Sequence, residues 1–431
     1  MLAAGIGGVY GVAFSPDGTR LASAGGDGKV WLWNPATGRP VGAPLQATST
    51  LNGASGVAFS RDGRLLASAG GDGTVRLWDP ATGQPAGALL HASVLNGVSG
   101  LAFSRDGRLL ASAGGDGMVR LWDPVTRRPV GAPLQTGSGP LGVSEVAFSR
   151  DGRLLASAGG DGMVRLWNPA TGRPVGAPLP ADPGNPYGVF GVAFSPDGRL
   201  LASAGGDGMV RLWNPATGRP VGARLHASAQ NGVHRVAFSP DGTLLASADG
   251  DGTVRLWNPA TGRPVRAALQ TGSGPATGVY GVAFSPDGTR LAAGGGDGTV
   301  WLWNPSTGRL VGPPQHATSS ARYGAPGVAF SPDGKLLASA DTDGTVRLWN
   351  PATGQPVGAP IQAGAQNGVV AVAFSPDGTL LASADDGGTV RLWQASLLAH
   401  PYAALCAYVG PPTSQEWNQY ASGEPQPKAC G

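Results

Sequence analysis

The chain has 431 residues, of which 13% are charged, and its 30 basic and 27 acidic side chains leave a formal net charge of +3. This near balance, without any block of Lys or Arg, argues against nucleic-acid binding. No segment approaches the roughly 20 apolar residues of a membrane span, and the N-terminus lacks the basic and apolar segments of a signal peptide. We therefore expect a cytoplasmic protein with no membrane contact.

The chain is built from a repeated unit whose cleanest copy spans residues 236–269. Three short apolar segments in it show the alternation of β-strands. The turns between them, at 239–242, 249–252 and 258–262, are rich in Pro, Asp and Gly, residues that preset φ or allow the chain to reverse. A weaker fourth strand is predicted over 264–269. The unit is therefore a four-stranded antiparallel meander, which needs neighbours to bury its two faces.

Nine copies follow one another, each with a Phe at the end of its first strand and a Trp near the end of its third strand, 19 residues later. The Phe residues are Phe14, Phe59, Phe103, Phe148, Phe194, Phe238, Phe284, Phe330 and Phe374. The Trp residues are Trp33, Trp78, Trp122, Trp167, Trp213, Trp257, Trp303, Trp349 and Trp393. A period of roughly 40–45 residues with four strands per unit predicts an all-β protein, a β-propeller with one blade per repeat. We expect residues 1–394 to form one nine-bladed ring, with a smaller ring and leftover copies as the alternative.

All variation in length falls between one Trp and the next Phe, in the loops that lead to the next blade. These loops also differ most in sequence, as at 47–52, 181–187 and 318–323. A rigid scaffold with variable loops on one face is typical of a binding surface. Drift in unconstrained loops explains the same pattern, so both interpretations stay open.

Phe-Ser-Pro-Asp-Gly, Leu-Ala-Ser and Asp-Gly-Thr-Val-Arg-Leu-Trp-Asn/Asp recur over residues 9–393, and the array resembles the WD-repeat family. The resemblance implies protein scaffolding. The Trp-Asp pair that names the family remains only at Trp78 and Trp122.

In many family members a His, a Ser or Thr, an Asp and the Trp form a buried hydrogen-bonded tetrad. The His is absent from every copy here, and what remains is a structural brace of Ser, Asp and Trp, as in Ser68, Asp72 and Trp78 or Ser247, Asp251 and Trp257. The seventh copy has Ala293 in place of the Ser, and the ninth has Gly387 in place of the Asp. We expect these two blades to be the least well braced.

The two ends of the array depart from the repeat. The N-terminal residues offer almost nothing for a fourth strand in the ninth blade, so we expect an open edge there or a strand improvised from the tail. The tail, 395–431, is predicted to form two short helices that cap this edge, the second starting at a capping box at 413–416. It resembles the C-terminal end of WD-repeat segments in large actinobacterial signalling proteins. Cys406 and Cys430 in the tail could pair, although two thiols are expected in a reducing cytosol.

No catalytic constellation is visible. None of the five histidines, His91, His226, His234, His316 and His400, has Asp, Glu or Cys partners at the spacing of a metal site. The Asp-containing turns recur in every blade, which indicates a role in folding. We expect no enzyme activity, no catalytic residue, no metal and no cofactor.

Function is better sought where the copies differ. The position four residues before each Phe, near the central channel, is aromatic in Tyr10, Phe190, His234 and Tyr280, and Tyr187, Arg322 and Tyr323 lie in adjoining loops. Aromatic side chains on a largely uncharged rim are suited to anchoring a peptide or protein partner. Ordinary packing at the start of the strand is the alternative.

The sequence thus predicts a monomeric, non-enzymatic protein-interaction scaffold that binds a peptide or protein through one face. One alternative is a sensor or regulatory module of a bacterial signalling ATPase or kinase system, which the tail favours. Another is a propeller that binds or hydrolyses a small ligand. It would need residues that converge in the channel, and the nearly identical copies give no sign of them.

Overall fold

The computed structural model describes residues 2–3, 8–48, 53–86, 90–93, 97–126, 128–136, 142–185, 187–228, 232–271, 278–296, 299–316, 328–341, 343–363, 368–385 and 389–395. They form nine antiparallel sheets, one for each copy of the repeat. We call the sheets blades 1 to 9 in chain order. The predicted helical tail lies outside the described residues, as do Cys406 and Cys430.

Each blade has three full strands joined by tight turns. The first strands are Val9–Phe14, Ala54–Phe59, Val98–Phe103, Val143–Phe148, Val189–Phe194, Val233–Phe238, Val279–Phe284, Val328–Phe330 and Val369–Phe374. The second strands are Leu21–Gly25, Leu66–Gly70, Leu110–Gly114, Leu155–Gly159, Leu201–Gly205, Leu245–Asp249, Leu291–Gly295, Leu337–Ala340 and Leu380–Asp385. The third strands are Lys29–Asn34, Thr74–Asp79, Met118–Asp123, Met163–Asn168, Met209–Asn214, Thr253–Asn258, Thr299–Trp303, Thr345–Trp349 and Thr389–Gln394.

The predicted fourth strand is split into two pieces that both pair with the third strand. The first pieces are Arg39–Pro40, Gln84–Pro85, Arg128–Pro129, Arg173–Pro174, Arg219–Pro220 and Arg263–Pro264. The second pieces are Leu45–Gln46, Leu90–His91, Leu134–Gln135, Leu179–Pro180, Leu225–His226, Leu269–Gln270, Gln315–His316 and Ile361–Gln362. In most copies a Gly with positive φ, such as Gly176 at 76°, and a Pro without an N–H lie between the pieces and interrupt the pairing.

The core consists of nine interfaces between consecutive blades, all built from the same residue types. Between blades 2 and 3, for example, Ala67 and Val75 of one blade pack on Leu110 and Trp122 of the next. The ninth interface joins blade 9 to blade 1 and contains Val9, Trp33 and Ala382. The predicted single nine-bladed ring is therefore confirmed, and the alternative of a smaller ring with leftover copies is wrong.

The expectation that the N-terminus could not complete blade 9 is wrong. Leu2–Ala3 forms the outer strand of that blade, with Leu2 opposite Val390 and Ala3 opposite Thr389. The corresponding pairs in blade 1 are Leu45 opposite Val30 and Gln46 opposite Lys29, so the register is the same. Two residues suffice because the outer strand of every other blade also pairs through only two residues at this position.

Candidate interaction site at the channel mouth

The first strands surround the central channel, and each packs on the first strand of the next blade. A β-bulge interrupts the first strand in eight blades, since the pairing skips one residue there, for example between Val189 and Gly191. The skipped residue occupies the position that the sequence singled out four residues before each Phe. Bulges redirect side chains and are common at the rims of barrels and beside functional sites. The variable residue is thus presented at one end of the channel, which we call the channel mouth.

Three consecutive bulge residues form an aromatic stack. The ring centroids of Phe190 and His234 are 5.9 Å apart with nearly parallel planes, and those of His234 and Tyr280 are 4.5 Å apart. An ideal Cβ built on Gly232 would lie 3.0 Å from Phe190 Cε2, so the ring covers the glycine at the start of the next blade. The stack spans blades 5 to 7, and Tyr280 at its end is 41% exposed.

Burial shifts His234 towards its neutral form. The imidazole is half buried between the two rings, and this burial lowers its pKa below the ordinary value. A neutral imidazole can both donate and accept a hydrogen bond. The stack is therefore an uncharged, largely apolar surface with one polar edge.

Tyr10 and Tyr187 are not members of this stack. Tyr10 is the bulge residue of blade 1 and is 58% exposed, and Tyr187 in the loop before blade 5 is 62% exposed. Buried Asp182 holds that loop on blade 5, because its carboxylate accepts a hydrogen bond from the N–H of Asp207 at 3.0 Å. Burial and the negative charge of Asp207 raise the pKa of Asp182 to about 6. Arg322 and Tyr323, the other two predicted rim residues, lie outside the described residues.

A cavity of about 500 Å³ adjoins the stack inside the channel. Phe190 and His234 line it together with Glu145, Arg235 and Ser144. Side chains from several blades thus converge in the channel, and the expectation that the copies provide no such convergence is wrong.

Glu145 and Arg235 were missed by the sequence analysis. They follow the bulge residue directly, at a position that holds Gly in five of the other described blades and Ala371 in blade 9. A glycine gives no side chain to the channel, so these two substitutions place the charged groups there. Aligning the nine copies at this position would have revealed them, because only these two copies carry a charge.

Glu145 reaches across the neighbouring blade. Its Oε2 accepts a hydrogen bond from the N–H of Val192 at 3.0 Å, and an ideal Cβ on Gly191 would lie 3.1 Å from the same oxygen. Burial raises the pKa of this carboxyl, although the Val192 N–H and the positive charge of Arg235 oppose the shift. Arg235 itself is exposed to the channel. The wall therefore offers an acceptor and a cation beside an aromatic surface.

The predicted brace consists of two separate contacts. Trp78 Nε1 donates to Ser68 Oγ at 2.9 Å, and Trp257 Nε1 donates to Ser247 Oγ at 3.2 Å. Eight of the nine blades have this Trp–Ser bond, and blade 7, with Ala293 at the Ser position, is the exception.

The Asp of the brace pairs instead with the Arg of the third strand. Asp72 binds Arg76 at 3.1 Å, and Asp251 binds Arg255 at 3.0 Å. The third-strand arginines that the structure describes are thus paired within their own blades. In blade 9, Gly387 lies outside the described residues, and Asp385 lies 3.8 Å from Arg391.

The described residues contain no cluster of three or more His, Cys, Asp or Glu side chains that could hold a metal ion. Nor does any helix in this part of the chain have the length and apolarity to cross a membrane.

The family profile described as "WD domain, G-beta repeat" matches nine segments of the chain: 4–34, 46–79, 89–123, 131–168, 178–214, 221–258, 267–304, 324–350 and 358–394. The protein belongs to the WD40 repeat family. Proteins of this fold commonly serve as scaffolds for protein interactions and are generally not enzymes. A search of curated proteins found no match.

Among solved structures, the crystal structure of the computationally designed Ika8 protein is similar to this chain, with a TM-score of 0.60 and 25% sequence identity. The match covers 79% of this chain and 96% of the designed one.

Proposed function

We propose that the protein is a non-enzymatic interaction platform that binds an extended peptide segment of a partner protein at the channel mouth of blades 4 to 7. The aromatic stack of Phe190, His234 and Tyr280 over the adjoining cavity carries this proposal. Aromatic residues dominate the energetics of protein interfaces because they bury a large area with few rotatable bonds. The stack also lies where a bulge directs side chains to the rim.

The charged pair in the cavity indicates how such a segment is oriented. Arg235 offers donors to a carbonyl or carboxylate of the segment, and Glu145 offers an acceptor to a backbone N–H. An apolar or aromatic side chain of the segment then lies against Phe190 and His234. The other first strands present mainly glycine at the same position, so among the described residues only this sector of the channel has these groups.

A displayed library of random peptides tests the proposal. Peptides enriched on the wild-type protein should bind the triple variant F190A/H234A/Y280A at least about tenfold more weakly, since truncating interface aromatics costs ~1–2 kcal/mol or more each. The control variant V125A/V265A/L310A removes three exposed apolar side chains from the opposite end and the outer edge of the blades. It should bind the selected peptides as the wild type does.

The two variants should also unfold at nearly the same temperature, because each removes only exposed or half-buried side chains. Equal binding of the selected peptides by the stack variant and the wild type would refute the proposal, as would a library that yields no binder.

The cavity favours a second candidate function, the binding of a small molecule. A volume of about 500 Å³ lies within the range of small-ligand pockets. Substitution of Glu145 and Arg235 by Gly, the residue of most other blades, separates the two functions. A small polar ligand would lose most of its affinity, whereas a peptide held mainly by the aromatic stack would lose less. A fragment screen by ligand-observed NMR, followed by this variant, measures the difference.

A further inference from the structure

The turns that follow the first strands form a ring at the end of the channel opposite the mouth. In each turn a Ser hydroxyl donates to the Asp two residues later, for example Ser60 to Asp62 at 2.6 Å. Consecutive turns touch through Pro and Gly: an ideal Cβ on Gly242 would lie 3.4 Å from Pro196 Cδ, and one on Gly288 would lie 3.5 Å from Pro240 Cδ. The nine turns are therefore neighbours on one continuous surface.

Three consecutive turns break this pattern. In blades 2, 3 and 4 the Pro is replaced by Arg61, Arg105 and Arg150, and all three side chains are exposed. The glycines that would meet a Pro there, Gly107 and Gly152 among them, have no described atom within 4 Å of an ideal Cβ. The arginine side chains therefore do not pack on the glycine of the neighbouring turn, and the space that a Pro fills in the other copies is open there.

Each of these turns carries a second arginine, at Arg64, Arg108 and Arg153, and one aspartate. Arg64 is 87% exposed and lies 3.9 Å from Asp62, which is 59% exposed, and the other two pairs are alike. Within the described residues, the arginines at the Pro position have no ion-pair partner. Each turn therefore has one cation more than its carboxylate balances. We call turns 60–64, 104–108 and 149–153 the basic arc.

The excess on the basic arc is as large as the formal net charge of the whole chain, which is +3. Among the other six turns, those of blades 6 and 9 carry Asp241 and Asp377 with Thr in place of the second arginine, and the remaining four each have one cation beside their aspartate. The surplus of positive charge at this end of the propeller therefore lies over blades 2 to 4. Such a field orients an approaching charged partner.

Charges farther from the channel leave this excess unchanged. Asp79 and Asp123 lie at the same end, after the third strands, and their carboxylates accept hydrogen bonds from N–H groups of their own turns. Arg128 and Arg173, exposed at the next strands, balance them in number.

We propose that the basic arc is a second interaction surface, which binds an acidic peptide segment of a partner protein. Arg is suited to this role because its planar guanidinium can form two parallel hydrogen bonds to one carboxylate. Because the three turns belong to consecutive blades, their guanidinium groups follow one another along the curve of the ring.

The interleaved aspartates favour a peptide over a nucleic acid. The Ser hydroxyl and a backbone N–H hold the pKa of Asp62 below its usual range, and the same contacts act on Asp106 and Asp151. These carboxylates therefore stay ionised and repel a continuous line of phosphates. A peptide can place its separate carboxylates at the arginines and neutral residues at the aspartates.

The repeat itself supplies the test variant. R61P/R105P/R150P introduces the residue found in the other six copies, whose turns fold in the same way. The control R39Q/R219Q/R263Q removes three exposed arginines from the outer part of the same end, where Gln84 and Gln355 already occur in two copies. Both variants lower the net charge by the same amount.

The probes are a fluorescent octaglutamate peptide, an octaglutamine peptide and an oligothymidylate with the charge of the octaglutamate, measured by anisotropy at low and physiological salt. Octaglutamate should bind the wild type and the control equally and the Arg→Pro variant at least about tenfold more weakly. Octaglutamine should not bind.

Equal octaglutamate binding by all three proteins would overturn the proposal, as would an absence of binding at low salt. Tighter binding of the oligothymidylate than of octaglutamate would assign the arc to a nucleic acid instead. The result is independent of the channel mouth, because the stack variant F190A/H234A/Y280A leaves the basic arc intact.

Discussion

Blade 7 offers a test of what the Trp–Ser bond contributes to stability. Blades 1 and 7 share the sequence Trp-Leu-Trp in the third strand, with Trp31 stacked on Trp33 and Trp301 stacked on Trp303. In blade 1 the second strand keeps Ser23, which accepts a hydrogen bond from Trp33 Nε1 at 3.1 Å. Blade 7 has fully buried Ala293 at that position. The change A293S should therefore rebuild the bond in a site that blade 1 shows can hold it.

A hydrogen bond formed in this way contributes about 1 kcal/mol to the free energy of unfolding. The unfolding entropy is roughly 2 cal/mol/K per residue, or on the order of 0.9 kcal/mol/K for a chain of this length, so the melting temperature should rise by about 1 °C. The reverse change in blade 6, S247A, leaves Trp257 Nε1 buried without its acceptor, which costs about 1–3 kcal/mol. Its melting temperature should fall by about 1–3 °C.

Differential scanning calorimetry can resolve these shifts, and hydrogen exchange of the third strand of blade 7, Thr299–Trp303, reports them locally. The matched control is A292S, which places a hydroxyl on the neighbouring, equally buried alanine. By analogy with blade 1, Trp303 Nε1 points at position 293 and does not reach position 292. The hydroxyl of A292S is therefore buried without a hydrogen-bond partner and should destabilise the blade. The reasoning fails if A293S lowers the melting temperature or if the two serines shift it in the same direction.

Three further outcomes are expected. Burial raises the pKa of Asp341 to about 6, so the folded state binds this proton more tightly than the unfolded state does. The free energy of unfolding should therefore fall as the pH rises from 5 to 7. Denaturant titrations of the wild type should show this slope, and D341N should lose part of it. Gly162 has a φ of 78° and an ideal Cβ there would clash with the Asp182 carbonyl oxygen, so G162A should cost ~1–3 kcal/mol for the strained backbone and more for the clash. G152A, at a φ of 71° with open space around its Cβ, should cost only about 1–2 kcal/mol. Deletion of residues 1–7 removes the outer strand of blade 9 and should lower the melting temperature and promote self-association, measured by light scattering. Deletion of 396–431 tests the predicted cap in the same assay. An unchanged monomer in either case would show that the deleted segment protects no edge.

The ring could be predicted from the sequence because each blade repeats the same local signals. The Phe, the Trp and the Asp-Gly turns recur at fixed distances, and near-identical copies must form near-identical interfaces. The closing strand could not be predicted, since a pair of residues such as Leu2 and Ala3 has no periodicity. Its pairing is decided by the backbone groups left free on Thr389–Gln394 once the ring has formed.

The channel mouth was predicted in part, because the sequence singled out the position that proved to be the bulge. A bulge shifts the register by one residue, and this shift depends on pairing across the sheet. The alternation in the strand alone therefore could not show that Glu145 and Arg235, one residue further on, line the channel. The Asp–Arg pairs were missed for a similar reason, since Asp72 and Arg76 approach each other only after the intervening turn folds.

The pairing of Leu2–Ala3 with blade 9 closes the ring through a strand of two residues. Eight blades receive their outer strand from the chain that leads to the next blade, whereas the ninth receives it from the opposite end of the sequence. Opening the ring therefore requires the release of this short strand and of the packing between blades 9 and 1. A ligand that contacted both blade 9 and blade 1 would stabilise the closed ring, and its binding free energy would add to the free energy of unfolding of the whole ring.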